Sequence, residues 1–122
     1  MIDCAVFARL RVQFVDGLSG FNTANTGITF TTNTWHHVTC VFKRNTLLSI
    51  YKNGALAGTN TGLIAHQGNF APSTAFALGN YGTSNSLPLD GAMDEVKIWQ
   101  RALTLNEVLA DYINGAAGLP LS

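Results

Sequence analysis

The sequence predicts an all-β sandwich with one short C-terminal helix, on three observations. Residues 38–42 alternate apolar and polar side chains, with Val38, Cys40 and Phe42 on one parity, the period of a strand with one buried face. Asn53-Gly54 separates two strand-like runs and is the strongest short-range hairpin signal, because a type I′ turn needs positive φ at both central residues. Thr104 and Glu107 have capping-box spacing ahead of a single helical apolar stripe. One helix after many strands implies a layered β fold with the helix laid against it.

At 122 residues the chain is one domain, residues 1–122, long enough to bury one real core. Hydrophobic residues make up 47% and charged residues 11%, too apolar and too weakly charged for disorder. Asn, Thr, Gly and Ser carry the polar surface, as turn chemistry requires. Seven Lys and Arg balance seven Asp and Glu, so no basic patch is implied and nucleic acid is not an expected partner. No apolar run approaches the roughly 18 residues of a membrane helix, so no membrane partner is expected. Asp3, Arg9 and Arg11 interrupt the apolar N-terminus, which lacks the form of a signal peptide. Cys4 and Cys40 fall on apolar parities and read as small buried hydrophobes, with a Cys4–Cys40 disulfide as the alternative.

Taken in order, residues 10–14 alternate and predict an opening strand, turned by Asp16-Gly17. Residues 21–30 predict a weaker strand, broken at Asn25-Thr26-Gly27. Asn33-Thr34 leads to Trp35, and residues 38–42 form the next strand, ended by Lys43-Arg44-Asn45. Residues 47–52 return, turn at Asn53-Gly54, and continue through Ala55-Leu56-Ala57 to a stop at Gly58. Residues 59–73 read as a long surface connection, 76–78 as a short strand, 82–88 as a loop and 92–99 as a strand. Thr104 then caps the helix, with Leu103 placed to staple onto Val108. Leu105, Val108, Leu109, Tyr112 and Ile113 form its apolar stripe, and Asn114-Gly115 supplies the stop.

With these elements placed, Trp35, His37, Val38, Tyr51, Asn53 and Gly54 resemble the W-x-H-V … Y-x-N-G signature of laminin-G-like domains, members of the concanavalin A-like lectin and glucanase superfamily. Residues 91–99, GAMDEVKIW, resemble that family's G-x-[IM]-D-E-V-[RK]-[IV]-[YW] strand. Arg101-Ala102-Leu103 and Glu107 resemble its R-A-L-[ST]-x-x-E-[IV] lead into the final helix. The resemblance is clearest over 35–115 and implies a two-sheet antiparallel jelly-roll sandwich. It also makes His37 a structural histidine, Trp35 and Trp99 core residues, and an extracellular setting common among relatives. The family's opening F-D-G and F-T-[IV]-x-x-W strands have no counterpart. The resemblance therefore implies a strip of core to be closed by residues 2–14 or by a second copy of the chain.

Asp90, Asp94 and Glu95 are the clustered carboxylates. Hydrolysis of a glycosidic bond needs two carboxyls with different pKa values. The E-x-D-x-x-E motif of the related glucanases is absent here, so no enzyme is expected. A structural role, with Asp94 or Glu95 bonded to nearby turns or paired with Lys97 or Arg101, competes with calcium binding through Asp94 and Asp90. His36, His37 and His66 lack zinc spacing. For glycan recognition the expected contacts are an aromatic plane beside short polar groups. Tyr81 with Asn80 and Asn85 offers these, as do Asn60 and His66 in the 59–69 loop. The expected function is a non-catalytic module that binds carbohydrate or a protein surface. The alternatives are an assembly piece forming homo-dimers or higher oligomers through open sheet edges, and a degenerate glycosidase relative.

Overall fold

A computed structural model describes residues 2–5, 9–16, 20–43, 46–61 and 89–116, with side chains from Phe30 onward. These residues form β1 (Ile2–Ala5), β2 (Arg9–Asp16), β3 (Gly20–Thr29), β4 (Val38–Lys43), β5 (Leu47–Lys52), β6 (Ala55–Asn60) and the helix α1 (Leu105–Ala116). They make two three-stranded antiparallel sheets, ordered β1-β2-β3 and β4-β5-β6. Residues 2–14 thus contribute β1 and most of β2. β3 comes alongside β6, with Cα atoms within 8 Å, although the two strands belong to different sheets. The expected break at Asn25-Thr26-Gly27 is an irregularity inside a continuous β3: Arg9 and Arg11 pair with Thr29 and Asn25, so the ladder skips there without ending.

The second sheet follows directly from its turn. Asn53 and Gly54 adopt φ of 51° and 78°, the left-handed pair of a type I′ turn, and Lys52 pairs with Ala55 across it. Val38, Cys40 and Phe42 lie on the face they share with Leu48 and Ile50, as the alternation predicts. Leu48 and Ile50 are fully buried, and Phe30, Val38, Cys40 and Phe42 pack against them. Each of the two contributes about 2 kcal/mol of apolar burial. β6 does not stop at Gly58. Tyr51 pairs with Leu56 and Ile50 with Gly58, so Ala57 is an extra residue in a bulge and the strand carries on to Asn60.

Three expectations are corrected. Residues 92–99 form no strand. Glu95 sits at φ 51°, and its N–H is taken by Asp94 Oδ1 at 2.7 Å, a bend and a diverted donor that together break an extended ladder. Trp35 and Trp99 are not core residues: they are 70% and 43% exposed, Trp35 in the irregular stretch before β4 and Trp99 in the one before α1. The helical stripe is only partly used. Val108 is fully buried, whereas Leu105, Leu109 and Ile113 stay exposed and Asp111 is buried instead. The helix is rotated toward the sheet by polar contacts that a hydrophobic pattern does not register. It also runs through Asn114-Gly115 to Ala116, because Gly115 does not take the positive φ of a terminating cap. Cys40 carries a free thiol, so it is not bridged to Cys4. The strand expected at 76–78, the loop at 82–88 and most of the 59–73 connection lie outside the described residues.

Candidate functional site

Pleating gives β4 and β5 a second face, opposite the core, carrying Val41, Lys43, Leu47, Ser49 and Tyr51. That face is the floor of a groove of about 320 Å³ whose wall is Ala102, Leu103 and Thr104, the residues just ahead of α1. Four apolar residues (Val41, Leu47, Ala102 and Leu103) line it, together with Tyr51, Ser49, Thr104 and Lys43. Ser49 is only 4% exposed. Among the described residues neither its hydroxyl nor that of Tyr51 has a partner, and Lys43 has no ion pair.

The wall is fixed by a clasp at the start of the helix. Glu107 N–H donates to Thr104 Oγ1 at 3.3 Å and Thr104 N–H donates to Glu107 Oε2 at 2.8 Å, closing the capping box. Arg101 adds a two-pronged grip on the same carboxylate. Hydrogen bonding from Arg101, then from the Thr104 backbone, holds the Glu107 carboxyl down at about 2, and the same pairing raises Arg101.

The middle of α1 is held by a polar cluster around Asp111. His37 Nε2 lies 3.1 Å from Asp111 Oδ2, and Lys97 Nζ donates to Asp111 Oδ1 at 3.0 Å and to Glu95 Oε2 at 3.4 Å. Burial works against the Lys97 charge, but bonding to Asp111 and Glu95 outweighs it and raises its pKa. His37 is in turn tied to the hairpin turn: its N–H donates to Asn53 Oδ1 at 2.9 Å and its carbonyl accepts from Asn53 N–H at 2.8 Å. The signature residues His37 and Asn53 therefore lock turn, strand and helix together, the structural part that the resemblance implies for His37.

Of the residues singled out in the sequence, Asn60 ends β6 opposite Leu48, on the core-side parity and away from the groove. Tyr81, Asn80, Asn85 and His66 lie outside the described residues. Asp90 is exposed, and Asp94 is bonded to its neighbour's backbone. Among the described residues no group of three or more His, Cys, Asp or Glu is placed to hold a metal ion. The groove residues Lys43, Ser49 and Tyr51 escape sequence reading. Their alternate parity in β4 and β5 is visible, but the wall that converts it into a cavity arrives from more than fifty residues away.

Residues 5–109 match a laminin G family model described as Concanavalin A-like lectin/glucanases superfamily. No curated protein sequence matches the chain. A crystal structure of an S-layer domain-containing protein (residues 221–444) from Clostridium thermocellum ATCC 27405 is similar in fold, with a TM-score of 0.54 and 21% identity. The likeness covers 85% of this chain and 51% of that one, so the chain spans about half the length of that structure. With a family model matching nearly the whole length, the chain belongs to the Concanavalin A-like lectin/glucanases superfamily.

Proposed function

We propose that this domain is a non-catalytic carbohydrate-binding module, a two-sheet jelly roll that takes a saccharide in the groove between the β4–β5 face and residues 102–104. The observation carrying this reading is the groove itself, whose lining brings one aromatic residue, Tyr51, together with the hydroxyl residues Ser49 and Thr104 and four apolar ones. A pyranose presents the complement, an apolar C–H face edged by hydroxyls. The volume, about 320 Å³, suits one or two sugar rings by comparison with ligand sites of roughly 300–1,000 Å³. The placement of the carboxylates supports the non-catalytic part. Glu107 is held by Arg101 and Thr104, Asp111 by His37 and Lys97, and Asp94 by a backbone N–H, so each is engaged in holding structure.

A glycan array followed by titration calorimetry tests the reading. Saccharide binding should be lost in Tyr51→Ala and retained in Tyr81→Ala. The reverse pattern would move the site to the loop around Asn80, Tyr81 and Asn85.

A second reading, assembly into homo-oligomers, is favoured by a different observation. Met93, Val96, Ile98 and Trp99 are 43–72% exposed along one short segment, and the structural neighbour is an S-layer domain-containing protein. A tight oligomer in sedimentation, together with a silent array, would support assembly over sugar binding.

A further inference from the structure

We propose that copies of this chain pack head to tail, the apolar stripe on the outer side of α1 in one copy receiving the segment around Ile98 of the next. This rests on the assembly reading above and adds the second surface and the symmetry of the contact.

The second surface is the helix. Leu105, Leu109 and Ile113 recur at every fourth position, so they lie in one row, and they are 42–57% exposed. A surface helix ordinarily turns charged residues to solvent. This one carries two, and both are committed: Glu107 to Arg101, and Asp111 to His37 and Lys97. The exposed helical positions are Leu105, Asn106, Leu109, Ala110, Ile113 and Ala116, none of them charged. Large apolar side chains without interspersed charge are the composition of an interface core.

The helix keeps the two surfaces apart. Lys97 reaches it at Asp111, Glu95 comes near it at Gly115, and Arg101, 6.0 Å over the Trp99 ring, joins it at Glu107. At about 100° per residue, these three helical positions lie roughly 120–160° around from the middle of the stripe. The stripe is bordered instead by the hairpin turn, where Leu109 and Tyr112 face Gly54. The segment holding Met93, Val96, Ile98 and Trp99 is therefore on the opposite flank, and a copy cannot cover its stripe with its own segment.

Pairing like with like would leave one surface bare in every copy, whereas a head-to-tail contact covers both. At the observed exposures these seven large side chains offer roughly 650 Å² of apolar area. With apolar atoms making up about 60% of an interface, that implies a contact of roughly 1,000 Å², enough for specific association.

Sedimentation velocity on the intact chain, over a range of micromolar concentrations, should show a mass that grows with concentration. Ile113→Lys blocks the stripe and Ile98→Asp the segment, and each variant alone should be monomeric with the wild-type circular dichroism spectrum. An equimolar mixture of the two should regain association but stop at twice the monomer mass, because each variant keeps one working surface. If either variant loses the wild-type spectrum, Ile113→Ser and Ile98→Ser carry the same test. A mixture that stays monomeric, or self-association that survives either substitution, overturns the head-to-tail contact and leaves the assembly reading standing. A wild-type mass of one chain at every concentration removes both and leaves the saccharide groove untouched.

Discussion

Arg101 grips Glu107 through two parallel hydrogen bonds, Nη1 to Oε2 at 2.8 Å and Nη2 to Oε1 at 2.6 Å. Because Oε2 also accepts Thr104 N–H, the residue before the wall and the first turn of the helix share one carboxylate. Bidentate geometry fixes direction as well as distance, so the wall cannot swing without breaking both prongs. The Glu107 carboxyl is held at about 2, against 4.5 for the ordinary group. A depressed folded-state pKa means that the clasp is at full strength above about pH 4.5 and is lost as pH falls through about 2. Carbon-detected NMR titration of the Glu107 side chain should show that low midpoint. Arg101→Lys, which keeps the charge and removes the fork, should raise it. A wild-type midpoint near 4.5 would refute the clasp.

Asp111 bridges His37 and Lys97 while itself only 7% exposed. Truncating one member of a buried charged group strands the others, and Asp111→Ala is expected to cost about 3 kcal/mol in urea unfolding. His37→Ala should cost less, since His37 is one of two partners. A double-mutant cycle between the two positions should show coupling above about 0.5 kcal/mol. Additive losses would mean that the 3.1 Å contact holds nothing together.

The parts legible in the sequence are those determined within a few residues. The positive φ of Asn53 and Gly54 is a property of those two residue types, and the Thr104–Glu107 box is closed by a spacing of three. The face shared by Val38, Cys40 and Phe42 needs only the strand period. What failed depended on partners far along the chain. Residues 92–99 have strand-like alternation, but alternation records only the wish for a ladder, and the Asp94 side chain offers the Glu95 backbone a competing bond. The sequence shows the helix as a hydrophobic stripe, yet its seating is set by Asp111 bonding across 74 residues to His37. The sequence offers Asp94 or Glu95 as partners for Arg101, but its fork meets Glu107, inside the first turn of the helix. The groove shares this limitation: its floor is local and its wall is not.

Gly54 holds a place that no larger residue fills without cost. Its φ is 78°, and a Cβ there would stand 3.0 Å from Leu109 Cδ1 and 3.0 Å from Tyr112 Cδ1. Gly54→Ala therefore meets a left-handed backbone penalty of about 1 kcal/mol and crowds the helix off the turn. A total loss of about 2 kcal/mol is expected in urea unfolding, and Asn53→Gly, which keeps the turn geometry but removes the acceptor of His37 N–H, should cost about 1 kcal/mol. Equal losses at the two positions would show that the turn does not carry the helix contact.

Cys40 sits on the core face beside Leu48 and Ile50, and burial pushes its thiol from 9.0 up to about 11. A group whose folded-state pKa is raised leaves stability intact below about pH 9, where both states keep the proton. Between about 9 and 11 the unfolded chain ionises first and folding weakens, by about 2–3 kcal/mol across that window, with no further loss above it. Cys40→Ala removes this step, so the gap in stability between wild type and variant should narrow by that amount from pH 9 to 11 and stay constant below. The same burial predicts slow alkylation at pH 8, followed by peptide mapping to separate Cys40 from Cys4. Rapid modification of Cys40 in the folded protein, or a wild-type–variant gap that does not change with pH, would contradict a desolvated thiol at this position.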